Sequence, residues 1–153
     1  MALNNFIFVL VQFLMPVITL VSVIILTRTI RSNRDLNQRI IFNEVVKREM
    51  DVRLKLSEYR EEIQKRLEKG KKREDWQEIT WDSSTILFNY YEFLALCVSK
   101  KLIKESDAKI YFKSLLPSVR QRFEDSLLFV EGLAKKEDYP GLQWLFKRWE
   151  IEY

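Results

Sequence analysis

The sequence predicts an all-α protein: one N-terminal transmembrane helix followed by a small cytoplasmic helical bundle. Three observations predict it. An apolar run of 21 residues, FIFVLVQFLMPVITLVSVIIL, occupies Phe6 to Leu26. Charge then begins abruptly: residues 1–27 hold no ionisable side chain, whereas 28–75 hold 15 Lys/Arg and 10 Asp/Glu. Further along, apolar residues recur at three- and four-residue spacings, and no stretch alternates convincingly with a period of two.

These shifts divide the chain into an anchor over 1–27, a basic juxtamembrane and long amphipathic segment over 28–75, and a compact helical domain over 76–153. The last part is nearly neutral, with 11 basic and 12 acidic residues. A length of 153 residues accommodates one domain and an anchor. The overall composition, 47% hydrophobic and 31% charged, hides this asymmetry.

At about 1.5 Å rise per residue the apolar run spans roughly 30 Å, the hydrocarbon thickness of a bilayer. Gln12, Pro16, Thr19 and Ser22 interrupt it, and none is ionisable. A cleaved signal peptide would carry positive charge before a shorter apolar region and end at small residues. Here MALNN has no Lys or Arg, and the run passes into Thr27-Arg28-Thr29, so a retained anchor is expected. Arg28, Arg31, Arg34 and Arg39 follow the span and nothing basic precedes it. The positive-inside rule then puts the N-terminus outside and the C-terminal part in the cytoplasm. The same arginines are candidates for contact with anionic headgroups, each worth on the order of 1 kcal/mol near the surface.

Gln12 and Thr19 lie seven residues apart on one helical face, with Pro16 between them as a candidate kink. The three form a candidate self-association face. A pore lining is an alternative that requires a ring of subunits. Plain lipid exposure, with hydroxyls bonded back to the backbone, is the third reading.

After the span, Ser32-Asn33 could cap a new helix at Arg34, or the anchor could continue through. Apolar residues from Leu36 to Leu67 then follow a helical spacing that stops near Gly70 and the KGKKRED run. Val52, Leu56, Tyr59 and Ile63 are locally heptad-like, which suits packing on later helices or self-pairing as a coiled coil. Asp82, Ser83 or Ser84 are candidate caps for a helix carrying Ile86, Leu87, Tyr90, Phe93, Leu94, Cys97 and Val98. A short helix begins near Ser106-Asp107 and presents Ile110, Phe112, Leu115 and Leu116. Pro117 breaks it or sits in the first turn of a successor that runs through Val119, Phe123, Leu127, Leu128 and Val130 and weakens at Gly132. Asp138-Tyr139-Pro140-Gly141 reads as a turn before a final helix with Leu142, Leu145, Phe146 and Trp149. The aromatics, Trp76 and Trp81 among them, are expected to supply core bulk or subunit contacts.

Histidine is absent and cysteine occurs once, at Cys97. This removes Ser-His-Asp and Cys-His nucleophile systems, histidine general bases, His-based zinc sites and disulfides within the chain. Cys97 reads as a small buried hydrophobe. Gly70, Gly132 and Gly141 are the whole glycine complement, too few and too scattered for GxGxxG or GxxxxGK[ST]. No metal or cofactor is therefore expected. Nucleic acid is not an expected partner, because the basic residues after the span alternate with Asp35, Glu44, Glu49 and Asp51. Asn89 and Glu92, one turn apart in NYYE, form a candidate structural polar pair in which Glu92 anchors a neighbouring helix. The sharper reading makes Glu92 an acid, a base or a cation ligand.

The block from Asn89 to Arg122, NYYEFLALCVSKKLIKESDAKIYFKSLLPSVRQR, resembles an uncharacterised bacterial and phage-associated family catalogued as domain of unknown function 4760. Asn89, Glu92, Ala95 and the Leu102-Ile103 turn carry the likeness. The glycine expected in that turn is replaced by Ser99-Lys100-Lys101. The resemblance implies an N-terminal membrane helix, a charged stalk-like helix and a bacterial inner membrane location, but no activity. The architecture is also similar to that of phage-defence accessory proteins that assemble into membrane pores. Helical ribonuclease-like domains in such systems carry an Arg followed by a His. Arg120 and Arg122 have no histidine after them, so nuclease chemistry of that kind is expected to be absent.

The sequence thus leads to a membrane-anchored, self-associating interaction or scaffolding protein without catalytic activity. Its expected partners are a bilayer with anionic headgroups, further copies of itself and a protein partner. The rivals are an oligomeric pore-forming effector and a histidine-free metal-dependent hydrolase or nuclease using Glu92.

Overall fold

The computed structural model describes the backbone of residues 2–70, 74–129 and 136–151, and side chains over 14–70, 78–125 and 137–151. It is all-α over those residues. Helix α1 is Ala2–Glu68, α2 Glu74–Ser99, α3 Glu105–Phe112, α4 Leu116–Phe129 and α5 Pro140–Arg148. Short 3-10 turns at Lys113–Leu115 and Lys136–Asp138 precede α4 and α5. By contact the chain divides into two units, 1–38 and 39–153, and α1 contributes to both.

Of the two arrangements open at Ser32-Asn33, the continuous helix is the one formed. Nothing between Thr27 and Glu44 breaks a helix, so no cap is needed and α1 runs 67 residues with Pro16 inside it. The helix stops where Gly70 takes a left-handed φ of 69°, with its N–H on Leu67 O at 2.9 Å. Along the way Glu44–Arg48, Glu49–Arg53 and Glu62–Arg66 pair at i, i+4. The Glu-before-Arg order also suits the helix dipole.

In the first unit, Leu14, Met15, Val17, Ile18 and the following apolar residues to Leu26 are all 45–62% exposed. None of the most apolar window is buried within the chain. This is a single helix long and apolar enough to cross a membrane among the described residues.

In the second unit, α2 is the central element. Its Phe88, Tyr91, Leu94, Ala95, Cys97 and Val98 are buried, as are Phe112, Leu116, Val119, Phe123, Leu142, Leu145 and Trp149 from the shorter helices and their ends. Val45 of α1 is fully buried as well, and Ile41, Phe42, Val46 and Val52 pack against this core. Each large side chain so buried contributes roughly 1.5–3 kcal/mol. Edge-to-face rings join the elements: Phe88 to Phe123 at 5.1 Å, Phe88 to Tyr139 at 5.5 Å and Phe123 to Tyr139 at 5.8 Å between centroids. Burial pushes the Tyr90 and Tyr91 hydroxyls well above their usual titration range. Tyr90 is satisfied by donating to Val45 O at 3.1 Å.

Several expectations need correction. Ser83 and Ser84 do not cap α2, which starts at Glu74; both are inside the helix and buried. Ile110 is not a core residue: it is 85% exposed. In an eight-residue helix, Ala108 and Phe112 take the inward face at i, i+4, and Ile110 falls on the opposite side. Helix α5 begins at Pro140, not after Gly141, because proline suits the first helical position. Phe112, Phe123 and Trp149 are buried as expected, whereas Trp144 is 38% exposed. The expectations for Lys71 to Arg73, Val130 and Gly132, and for the side chains of Gln12, Trp76, Leu127 and Leu128, lie outside the described residues.

Candidate functional site

Glu92 sits on the face of α2 that meets α5. Its Oε1 accepts the Gly141 N–H and its Oε2 the Leu142 N–H, both at 2.7 Å. These donors belong to the first turn of α5, where backbone N–H groups have no partner within the helix and the dipole favours negative charge. The local N-cap residue, Tyr139, makes no side-chain cap bond. A carboxylate from another helix takes over that task. The glycine at 141 follows from the geometry: a Cβ there would lie 2.7 Å from Glu92 Oε1. Asn89 does not share this environment. It is exposed and faces a groove beside Arg48, Asp51 and Phe93.

A second polar cross-link was not legible in the spacing. Arg122 of α4 donates from Nη2 to Ser83 Oγ at 2.5 Å and from Nε to Ser84 Oγ at 3.3 Å. Both serine hydroxyls in turn donate to Thr80 O, at 2.8 and 2.9 Å. Burial, and to a smaller extent the positive charge of Arg60, hold the Arg122 guanidinium below its ordinary pKa. The available signal was an arginine between Val119 and Phe123 on the inward face of α4, paired with two serines preceding Leu87 and Phe88. A third cross-link joins the ends of α3 and α5. Glu105 accepts from Arg148 Nε and Nη2 at 2.9 and 3.1 Å and from the Trp149 ring N–H at 3.1 Å.

In α1, the Thr19 hydroxyl donates to Met15 O at 2.8 Å. Thr27 and Thr29 bond back in the same way, to Val23 O at 2.7 Å and Ile25 O at 3.0 Å. Pro16 and Thr19 are exposed, as are Arg28, Arg31, Arg34 and Arg39. Cys97 is buried and its thiol is pushed up by that burial, which suppresses the thiolate a nucleophile needs. Among the described residues no group of three or more His, Cys, Asp or Glu side chains could hold a metal ion. What emerges is a small helical domain without an obvious catalytic metal or cysteine motif among the described residues. Comparisons with protein families, curated proteins and solved structures give no match for the chain.

Proposed function

We propose that this chain is a membrane-anchored, self-associating scaffold that works by interaction and not by catalysis. The observation that carries the reading is the bare apolar surface of α1, whose residues from Leu14 to Leu26 find no cover within the chain. At about 25 cal/mol per Å² such a surface is strongly disfavoured in water, and a bilayer removes the penalty. Arg28, Arg31, Arg34 and Arg39 favour a cytoplasmic second unit, and anionic headgroups are their natural counter-charges. Gln12, Pro16 and Thr19 are the proposed contact face between copies. Thr19, already bonded to Met15 O, contributes there mainly by its small size.

The non-catalytic half of the reading is supported by the occupation of Glu92 with backbone N–H groups and by the burial of Cys97. Membership in the family of domain of unknown function 4760, and with it a bacterial inner membrane setting, is part of the same proposal; the Asn89-x-x-Glu92 pattern supports it.

Crosslinking in native-like membranes followed by mass measurement tests the assembly. Discrete multiples of the 18.5 kDa chain are expected; a strictly monomeric species overturns self-association. Alkaline carbonate washing tests the anchor separately, and release into the soluble fraction overturns it.

A further inference from the structure

Within the second unit, α1 has one side committed and one side bare. Val45 is fully buried and Val52 packs against the core. On the opposite side Ile40, Met50 and Leu54 are 54–65% exposed. With Asn43 and Lys47 between them, they follow steps of three, four, three and four. That is the seam of a coiled coil, with Ile40, Lys47 and Leu54 at a positions and Asn43 and Met50 at d. The other heptad-like run of α1, Val52, Leu56, Tyr59 and Ile63, is half-buried within the unit and so is already in use.

Charge and register point to a second copy of the chain as the cover for this seam. In a parallel pair, a g residue of one helix faces the e residue five positions later on the other. Here g is Arg39 and e is Glu44, opposite in charge and both exposed. The contact of Glu44 with Arg48 of its own helix is long, 3.9 Å, and Arg48 also stacks on the Phe93 ring at 4.7 Å. Lys47 limits the number of copies. An a-position ammonium reaches water along its stem beside one partner helix, whereas a wider bundle buries it. A branched Ile40 at a likewise favours two strands. In the sequence, seven-residue steps back from Leu54, Lys47 and Ile40 fall on Asn33, Leu26, Thr19 and Gln12, so the register is that of the contact face proposed for the span.

We infer that the cytoplasmic part of α1 pairs with α1 of a second copy as a parallel two-stranded coiled coil, seamed by Ile40, Lys47, Met50 and Leu54 and flanked by Arg39 of each copy against Glu44 of the other. The inference rests on the self-association and the shared membrane orientation proposed above. With two polar residues among five, the seam is weak alone and draws on the raised effective concentration of anchored chains.

The test is disulfide crosslinking of the full chain in native-like membranes with copper phenanthroline, read on protein that resists carbonate extraction. Cys97 is buried, so the unaltered chain is the blank. Met50→Cys, on the seam, should crosslink at least about tenfold faster than Lys55→Cys, whose exposed position meets another copy only by collision. Added to Met50→Cys, Arg39→Glu sets like charges together and should slow crosslinking about threefold or more; Glu44→Arg in the same chain should restore it. A seam covered by lipid or by another protein leaves Met50→Cys no faster than Lys55→Cys, and that result overturns the inference. It is also overturned if Arg39→Glu leaves the rate unaltered or Glu44→Arg fails to restore it. Thr19→Cys separates the two readings. If it crosslinks and Met50→Cys does not, self-association stands and the seam falls; if neither does and the mass is that of one chain, both fall.

Discussion

At the scale of single residues, polar groups fasten helices that apolar contact alone would leave free to slide. Glu92 is the clearest case. In an open helix, Gly→Ala stabilises by roughly 1 kcal/mol. At Gly141 the new Cβ meets the Glu92 carboxylate and displaces two charge-assisted bonds, so Gly141→Ala should destabilise by about 1–3 kcal/mol in chemical denaturation. The same change in a Glu92→Ala background should be neutral or favourable, because the obstacle is gone. Additive effects would contradict this account. Lys101 offers the opposite case. It takes a left-handed φ of 56° at the end of α2, where Leu102 N–H reaches Cys97 O at 2.9 Å and Lys101 N–H reaches Val98 O at 3.0 Å. That is a helix stop normally completed by glycine. A left-handed non-glycine residue costs roughly 1–2 kcal/mol, partly offset by the entropy glycine adds to the unfolded chain. Lys101→Gly should therefore raise the unfolding free energy by about 0.5 kcal/mol, read as a higher midpoint in chemical denaturation.

At the scale of elements, α3 and α5 are joined through their ends. Hydrogen bonding from Arg148, aided by the Trp149 ring N–H, holds Glu105 below its ordinary carboxyl value of 4.5. A carboxyl depressed in the folded state stabilises fully above its unfolded pKa and loses that contribution as pH falls through the lowered value. Acid unfolding below about pH 4.5 should consequently depend on Glu105. Glu105→Gln should lower stability at neutral pH and flatten the acid slope; an unchanged slope in pH-dependent melting would contradict the assignment. Much of each helix was legible in its spacing: Leu142, Leu145, Phe146 and Trp149 recur at helical intervals and all are buried. Boundaries were less legible. Ser83-Ser84 looks like a cap in sequence, yet Arg122 gives those hydroxyls a use inside α2. A capping residue and a buried hydrogen-bonding residue have the same side chain, and only the neighbouring helix distinguishes them.

At the scale of the molecule, a bare apolar helix and a charged bundle share one continuous α1. Placing a charge at the middle of the apolar run should oppose insertion by about 2.5–3.5 kcal/mol. Val17→Arg should thus shift protein from the membrane to the soluble or degraded fraction on cell fractionation, whereas Val17→Leu should not. Retention of Val17→Arg in the membrane would argue against a spanning helix.

The helical class, the apolar run from Phe6 and the lack of histidine can be read directly from the residues, because hydropathy, period and residue type are local properties of a chain. The residues also single out Glu92, whose spacing from Asn89 marks a helix turn. What Glu92 holds emerges from helix packing, since the Gly141 and Leu142 N–H groups lie some fifty positions away. Packing likewise decides that Ile110 faces outward and that Arg60 and Arg122 line one groove. Such pairings depend on how helices pack, and periodicity along one helix carries no information about which residue of another helix it will meet.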